Sequence, residues 1–298
     1  MRHLCCAPII EGHGEVDAVR ILLTRIAAEL LGSSIEVVRP FRLPRGKLLP
    51  GRPGARRVDE RELGRALDTA GTLLRFDGTS WLELPHDSAE EVNITAVHAS
   101  PRGEVWAVGR GGTIQRWDGK TLKSQVSGTT KRLLGVFSNG PDDVWAVGEG
   151  GVVIRWNGSR WSRVTTPVPD SAALNDVWGT SASDVWAVGD NGVIIHYDGT
   201  SWSSVSVPAI NNLLTVFAVT TTDAWIGGDL GMLMHWDGTS WNEVASNTAA
   251  AVTHIRGTAS TKIFATKQNN ELWVWDGTKW TLSTAGVYGQ RLWVNSDT

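Results

Sequence analysis

The chain has 298 residues, enough for one large domain or two smaller ones, and its 41% hydrophobic and 20% charged residues are ordinary for a soluble globular protein. Its charge is unevenly spread: up to Gly71 twelve Lys/Arg stand against nine Asp/Glu, leaving sixteen against twenty-two beyond, which removes the acidic part as an obvious nucleic-acid surface. Two adjacent cysteines, Cys5 and Cys6, exclude a disulfide framework, and no apolar run approaches the roughly 18 residues of a membrane span.

The opening "MRHLCCAPIIEGHGE" carries one arginine and an apolar run that stops at Glu11 with no small-residue cleavage site. That pattern predicts no secretory signal and a cytoplasmic chain without a membrane partner. "LCCAPII" reads as a buried strand. Val16, Val19, Leu23, Ile26 and Leu30 then follow helical spacing, and Gly32 marks the helix end. "SIEVVRPF" reads as a second strand, so the order is strand–helix–strand, as in α/β domains. Between Arg39 and Arg57 seven cations occur with no acid among them, a stretch whose charge would suit nucleic acid. "VDERELGRALDTA" reads as a short helix.

This segment, residues 1–71, resembles the N-terminal half of a bacterial Toprim-like family that opens with "EGxGE" and carries a basic "RxxRGKLL" stretch. The resemblance implies a metal-dependent phosphoryl-transfer site. Glu11 would be its strand-end glutamate, a general base or metal ligand, and Glu15 a second acid. Gly12 and Gly14 would free the turn between strand and helix. Clustered carboxylates hold Mg²⁺, which neutralises phosphate charge. The sequence departs from that family where a strand ending in Asp-x-Asp should follow "ALDTAG": the chain reads "TLLRFDGTSW" instead. The expected segment is thus a truncated α/β piece. No cofactor is expected, and Mg²⁺ would enter only if a partner chain completed the site.

From Thr72 the chain repeats. "RFDGTSW", "RWDGKTL", "RWNGSRW", "HYDGTSW", "HWDGTSW" and "VWDGTKW" place aromatics at Phe76, Trp117, Trp156, Tyr197, Trp236 and Trp275, with spacings of 41, 39, 41, 39 and 39. "EVWAVG", "DVWAVG" twice, "DAWIGG" and "KIFATK" alternate with them. A period near 40 with four short strands per unit is the signature of a β-propeller. In one unit, "LNDVWGT" is a first strand, "DVWAVG" a second, "VIIHY" a third and "SWSSV" a fourth, separated by "SAS", "DNG" and "DGT" turns. Sixteen tryptophans, the first at Trp81, supply the core. Burying one indole removes roughly 200 Å² from water, about 5 kcal/mol gross.

The repeat begins out of phase. "TLLRFDGTSWLEL" supplies only third and fourth strands, and the C-terminal "GVYGQRLWV" only first and second ones. The fold expected is therefore mainly β: residues 72–298 form a six-bladed β-propeller closed by mixed N- and C-terminal strands, preceded by the truncated α/β segment. These units resemble bacterial "DVWAVG"-type propeller repeats often found in exported proteins, and more broadly tectonin-type lectin and scaffold propellers. That resemblance implies a fold and leaves function to the site.

The "DG" carboxylates Asp77, Asp118, Asp198, Asp237 and Asp276 each stand alone in a hairpin, where a calcium loop needs several alternating oxygen ligands, so they read as turn residues. Asn157 at the variant turn agrees. His196 and His235 occupy the third-strand position of Arg75, Arg116 and Arg155 and read as blade-face residues. One column is better suited to recognition: His98, Phe137, Trp178, Phe217, Arg256 and Tyr288 each follow the apolar residue of a first strand. Their aromatic and cationic faces could form a ligand-binding rim for a sugar or peptide, or pack between blades. With no nucleophile–base pair or paired carboxylates visible beyond Thr72, the expectation is a non-enzymatic binding or scaffold protein with a protein or glycan partner. The alternative is a phosphoryl-transfer enzyme completed in trans.

Overall fold

The computed structural model describes residues 93–100, 103–207, 211–246, 249–269 and 271–283, with four short strands nearer the N-terminus, Cys5–Cys6, Arg56–Arg57, Leu74–Phe76 and Trp81–Glu83. The described residues divide into two compact units, with the break after Val164.

Five antiparallel four-stranded sheets follow one another, each with its strands in chain order. The first comprises Ile94–Ala99, Val105–Gly109, Ile114–Trp117 and Leu122–Gln125; the second Leu133–Gly140, Asp143–Gly148, Val153–Trp156 and Trp161–Arg163. The third comprises Leu174–Ser181, Asp184–Gly189, Ile194–Tyr197 and Trp202–Ser204; the fourth Leu213–Thr220, Asp223–Gly228, Leu233–Trp236 and Trp241–Glu243. The fifth comprises Val252–Ala259, Lys262–Lys267, Leu272–Trp275 and Trp280–Leu282. This is the four-strand unit that the period predicts. The first two sheets lie in the first unit and the other three in the second.

Burial follows position in the sheet. Second strands such as Val105–Gly109 are buried at every residue, so both faces are covered and the run is apolar throughout. Fourth strands such as Trp202–Ser204 bury only their first residue, and their polar residues face water. Neighbouring sheets meet through indoles. In the first unit Trp106 packs against Trp156 and Trp161 of the next sheet, with centroids at 5.4 and 5.5 Å. In the second unit Trp186 meets Trp236 and Trp241, both at 5.2 Å, and Trp225 meets Trp275 and Trp280 at 4.9 and 5.3 Å. Offset and edge-on pairs of this kind add to the burial of area.

Two turn devices recur. In "DG" turns the side-chain oxygen accepts backbone N–H groups two and three residues on, as Asp198 does from Thr200 at 2.8 Å and Ser201 at 2.9 Å. Asn157 makes the same bonds to Ser159 and Arg160. The turn reading of these residues therefore holds for Asp118, Asn157, Asp198, Asp237 and Asp276. At the end of second strands a glycine is needed for space: a Cβ on Gly189 would overlap the carbonyl oxygen of Ala173, and one on Gly148 that of Arg132. The fifth sheet has Lys267 at this position.

Leu74–Phe76 and Trp81–Glu83 pair with Phe76 opposite Trp81, the register that Trp156 and Trp161 share in the second sheet. The out-of-phase hairpin is therefore present. Cys5–Cys6 pairs with Leu74–Phe76, and Arg56–Arg57 with Trp81–Glu83, completing a further four-stranded sheet. The C-terminal closing strands and the helix after Val16 lie outside the described residues. Among the described residues no helix is long and apolar enough to cross a membrane.

Candidate functional site

The first strands bring the column together in two groups, one in each unit. In the first, buried His98 meets buried Phe137 edge-on at 5.2 Å, and its Nδ1 accepts the backbone N–H of Ser138 at 3.2 Å. That bond assigns the ring proton of a neutral His98 to Nε2. This pair packs between sheets, as the packing alternative for the column expects.

The second group carries more chemistry. Half-buried Trp178 lies 5.2 Å from Phe217 and donates its indole N–H to the Ala218 carbonyl at 3.2 Å. Arg256, from the fifth sheet, reaches back across the fourth to put its guanidinium 4.2 Å over the Trp178 ring. Its Nη1 donates to the Ile255 carbonyl at 2.6 Å and the Val216 carbonyl at 3.3 Å, and stands 3.7 Å from Asp176 Oδ2. Asp176 is buried and well supplied with donors. Its Oδ2 accepts from the Thr215 hydroxyl at 3.1 Å and Val216 N–H at 3.0 Å, and Oδ1 accepts Val177 N–H at 2.9 Å. Thr215 Oγ1 in turn accepts Ile255 N–H at 3.2 Å, so polar groups of three consecutive sheets are joined.

Asp176 and Thr215 are not among the residues predicted from sequence. The signal was available: each stands two residues before a column position, and the period-two alternation of a strand puts both on the column's face. Tyr288, Glu11 and Glu15 lie outside the described residues.

A second arrangement repeats at the start of the second strands. Glu104 pairs with Arg116, Asp143 with Arg155 at 2.8 Å, Asp184 with His196 at 2.7 Å and Asp223 with His235 at 2.9 Å. Each cation or imidazole lies over its own sheet's tryptophan: Arg116 over Trp106, Arg155 over Trp145, His196 stacked on Trp186 at 4.1 Å and His235 on Trp225 at 4.3 Å. The histidines are thus blade-face residues, as expected, with a partner twelve positions back that only the hairpin register brings near. Burial disfavours the Asp223 charge, but hydrogen bonds from His235, Ser260 and Trp225 outweigh it and hold the carboxyl below its ordinary value.

The fifth sheet holds a third arrangement. Lys267 is buried, its Nζ 3.8 Å over the Trp273 ring and donating to the Ser246 carbonyl at 3.0 Å. Burial lowers its ammonium to about 8, with the Glu271 charge pulling the other way. Glu271 also accepts the Trp273 indole N–H at 2.8 Å. Among the described residues no group of three or more His, Cys, Asp or Glu is placed to hold a metal.

Comparison with solved structures identifies the fold as a β-propeller. Virginiamycin B lyase from Staphylococcus aureus aligns over 76% of this chain and 82% of its own, with a TM-score of 0.65 and 13% identity. YCF48 bound to a D1 peptide aligns over 67% and 72%, with 0.51 and 16%, and the C-terminal WD40 domain of Sif2 over 71% and 64%, with 0.53 and 16%. At such identities the likeness is one of fold. No family model and no curated protein matches the chain.

Proposed function

We propose that this protein is a non-enzymatic binding or scaffold module whose first-strand column meets a protein or glycan partner. The observation that carries this reading is the Trp178–Phe217–Asp176–Arg256 group. It is a half-buried indole packed on buried Phe217, with a fixed, buried carboxylate and a half-buried guanidinium, set in strands otherwise chosen for apolar packing. Aromatic faces beside orienting polar groups are what recognition sites use, and propellers offer such faces repeatedly. A peptide-bound propeller among the structural neighbours supports a protein partner over a glycan. In the same reading the propeller has six blades, the sixth built on the Leu74–Phe76 and Trp81–Glu83 hairpin with Cys5–Cys6 and Arg56–Arg57 at its edges, while residues 1–71 are otherwise Toprim-like and their basic stretch 39–57 is where nucleic acid would bind.

The test is binding of the full chain to peptide and glycan arrays, repeated with Trp178→Ala. Specific signals should fall at least tenfold while the circular dichroism spectrum is unchanged. Signals that ignore the substitution would remove the column from the binding face. The enzyme alternative requires Mg²⁺ or Mn²⁺ binding that disappears in Glu11→Gln; calorimetry showing no difference between the two proteins would leave Glu11 without a metal role.

A further inference from the structure

We infer that Trp178, Asp176 and the Val216 carbonyl form a receptor for the guanidinium of an arginine in a peptide partner, and that Arg256 fills this receptor from within when the partner is absent. The inference rests on the column being the binding face and says what that face selects.

The geometry of Arg256 is that of a ligand. Its column counterparts in the two preceding sheets, Trp178 and Phe217, contact each other across a single sheet boundary. Arg256 instead spans two, from the fifth sheet back to Trp178 of the third. The groups that receive it belong mostly to those other sheets. Among the described residues they include an indole face, the surface that guanidinium prefers, the Asp176 carboxylate and the Val216 carbonyl. The Asp176 carboxylate is oriented independently of Arg256. Three donors, the Thr215 hydroxyl and the N–H groups of Val177 and Val216, hold it in place. The cradle is therefore organised by the sheets rather than by its occupant.

Arg256 fits it imperfectly. Charge-assisted bonds between guanidinium and carboxylate run to roughly 2.7–2.9 Å and are commonly bidentate. Here one nitrogen, Nη1, stands 3.7 Å from Oδ2, while the same nitrogen is drawn to the carbonyl of its own neighbour, Ile255, at 2.6 Å. The tether to the fifth sheet sets that compromise. An arginine arriving on a peptide has no such tether and can bring a terminal nitrogen closer to the Asp176 carboxylate than the 3.7 Å of Arg256. An internal occupant of this kind lowers the apparent affinity for the external one by the fraction of molecules in which the cradle is open. Removing it should tighten binding, which is the opposite of what a direct contact residue would do.

The experiment compares full-length wild type, Arg256→Gln and Arg256→Ala, titrated with Nα-acetyl-arginine amide and with a Gly/Ser nonapeptide carrying one central arginine. Citrulline, the neutral isostere, replaces arginine in the control peptide. Binding is read from the indole N–H resonance of Trp178, assigned by its loss in Trp178→Ala. The expected result is binding at least tenfold tighter in both Arg256 variants than in wild type, no binding of the citrulline peptide, and loss of at least tenfold when Asp176→Asn is added to Arg256→Gln. Arg256→Gln keeps the side-chain stem, so it serves if Arg256→Ala unfolds. Equal or weaker arginine binding in a folded Arg256→Gln variant overturns the inference, as does equal binding of citrulline. If array signals still depend on Trp178 in that case, the binding face stands and only its selectivity for arginine fails. If they do not, the column reading fails with it.

Discussion

The fourth and fifth sheets share strand lengths, strand order and register, down to paired irregularities in their first strands, and both keep the WDGT turn and its following tryptophan, yet they differ in the side chains that join the second strand to the third. The fourth has Asp223, Trp225, Gly228 and His235; the fifth has Lys262, Phe264, Lys267 and Val274 at the same places. Acid, ladder indole and the third-strand partner of the acid have been exchanged together. They belong to one assembly, since an acid without its third-strand hydrogen-bond partner, or that partner without its ring, would be left half-buried and poorly compensated. The comparison teaches that turns and apolar strand residues specify the sheet, and that the clamp of acid, third-strand partner and tryptophan is an addition a sheet can exchange as a set.

The largest effect that would break this comparison is loss of a ladder indole. Trp225 is buried and packs on Trp275 and Trp280 of the fifth sheet, so Trp225→Ala should cost about 3–5 kcal/mol by the range for large buried aromatics, measured by urea denaturation. Trp225→Phe, which copies Phe264, should cost markedly less, and least when Asp223 and His235 are exchanged with it. Next comes Gly189→Ala, where the added Cβ meets the Ala173 carbonyl. A loss of about 3 kcal/mol is expected from so rigid a neighbour. Lys267→Gly, the reverse change in the fifth sheet, should be far milder.

Much of this was legible in the sequence. The period, the "VWAVG"-like strands and the "DG" turns predicted sheet order and turn chemistry, because each is a local rule that recurs from sheet to sheet. The Asp184–His196 and Asp223–His235 pairs were not, since twelve residues separate the partners and only the hairpin register closes the distance. Arg256 over Trp178 was further out of reach: the two are 78 positions apart, and nothing in either strand marks one as the other's partner. Column membership was readable from spacing; the direction in which an arginine turns depends on what the neighbouring sheets leave for it.

Lys267 offers a sharper test with a smaller effect. Its amine is lowered to about 8 by burial, so the folded state favours the neutral form. The unfolded chain binds more protons between that value and about 10.4, the ordinary lysine value, so stability should rise across this window as pH increases and carry a penalty below it. Lys267→Met should remove that rise. At pH 7 it should stabilise by roughly 1 kcal/mol, the desolvation relieved being partly offset by loss of the Trp273 and Ser246 contacts. Thermal unfolding from pH 6 to 10 checks both; a flat wild-type profile would show that Lys267 is as well solvated as an ordinary surface lysine.

The smallest effects are expected at the exposed turns, where the second sheet already supplies the control. Asp198 is held at about 2 by the hydroxyl of Thr200 and the backbone N–H groups of Ser201 and Thr200, and Asp118 and Asp276 are held equally low by their own turns. Because the folded value lies below the unfolded one, the stability these carboxylates add is present above the ordinary carboxylate range and is lost as pH falls through about 2. Asn157 fills the same turn with the same two backbone bonds and no charge to lose. Replacing Asp118, Asp198 and Asp276 with Asn should therefore leave the melting temperature at pH 7 within a few degrees of wild type and flatten its decline between pH 4 and pH 2. If the decline is unchanged, acid unfolding begins elsewhere, with Asp223 and its clamp on Trp225 the next place to look.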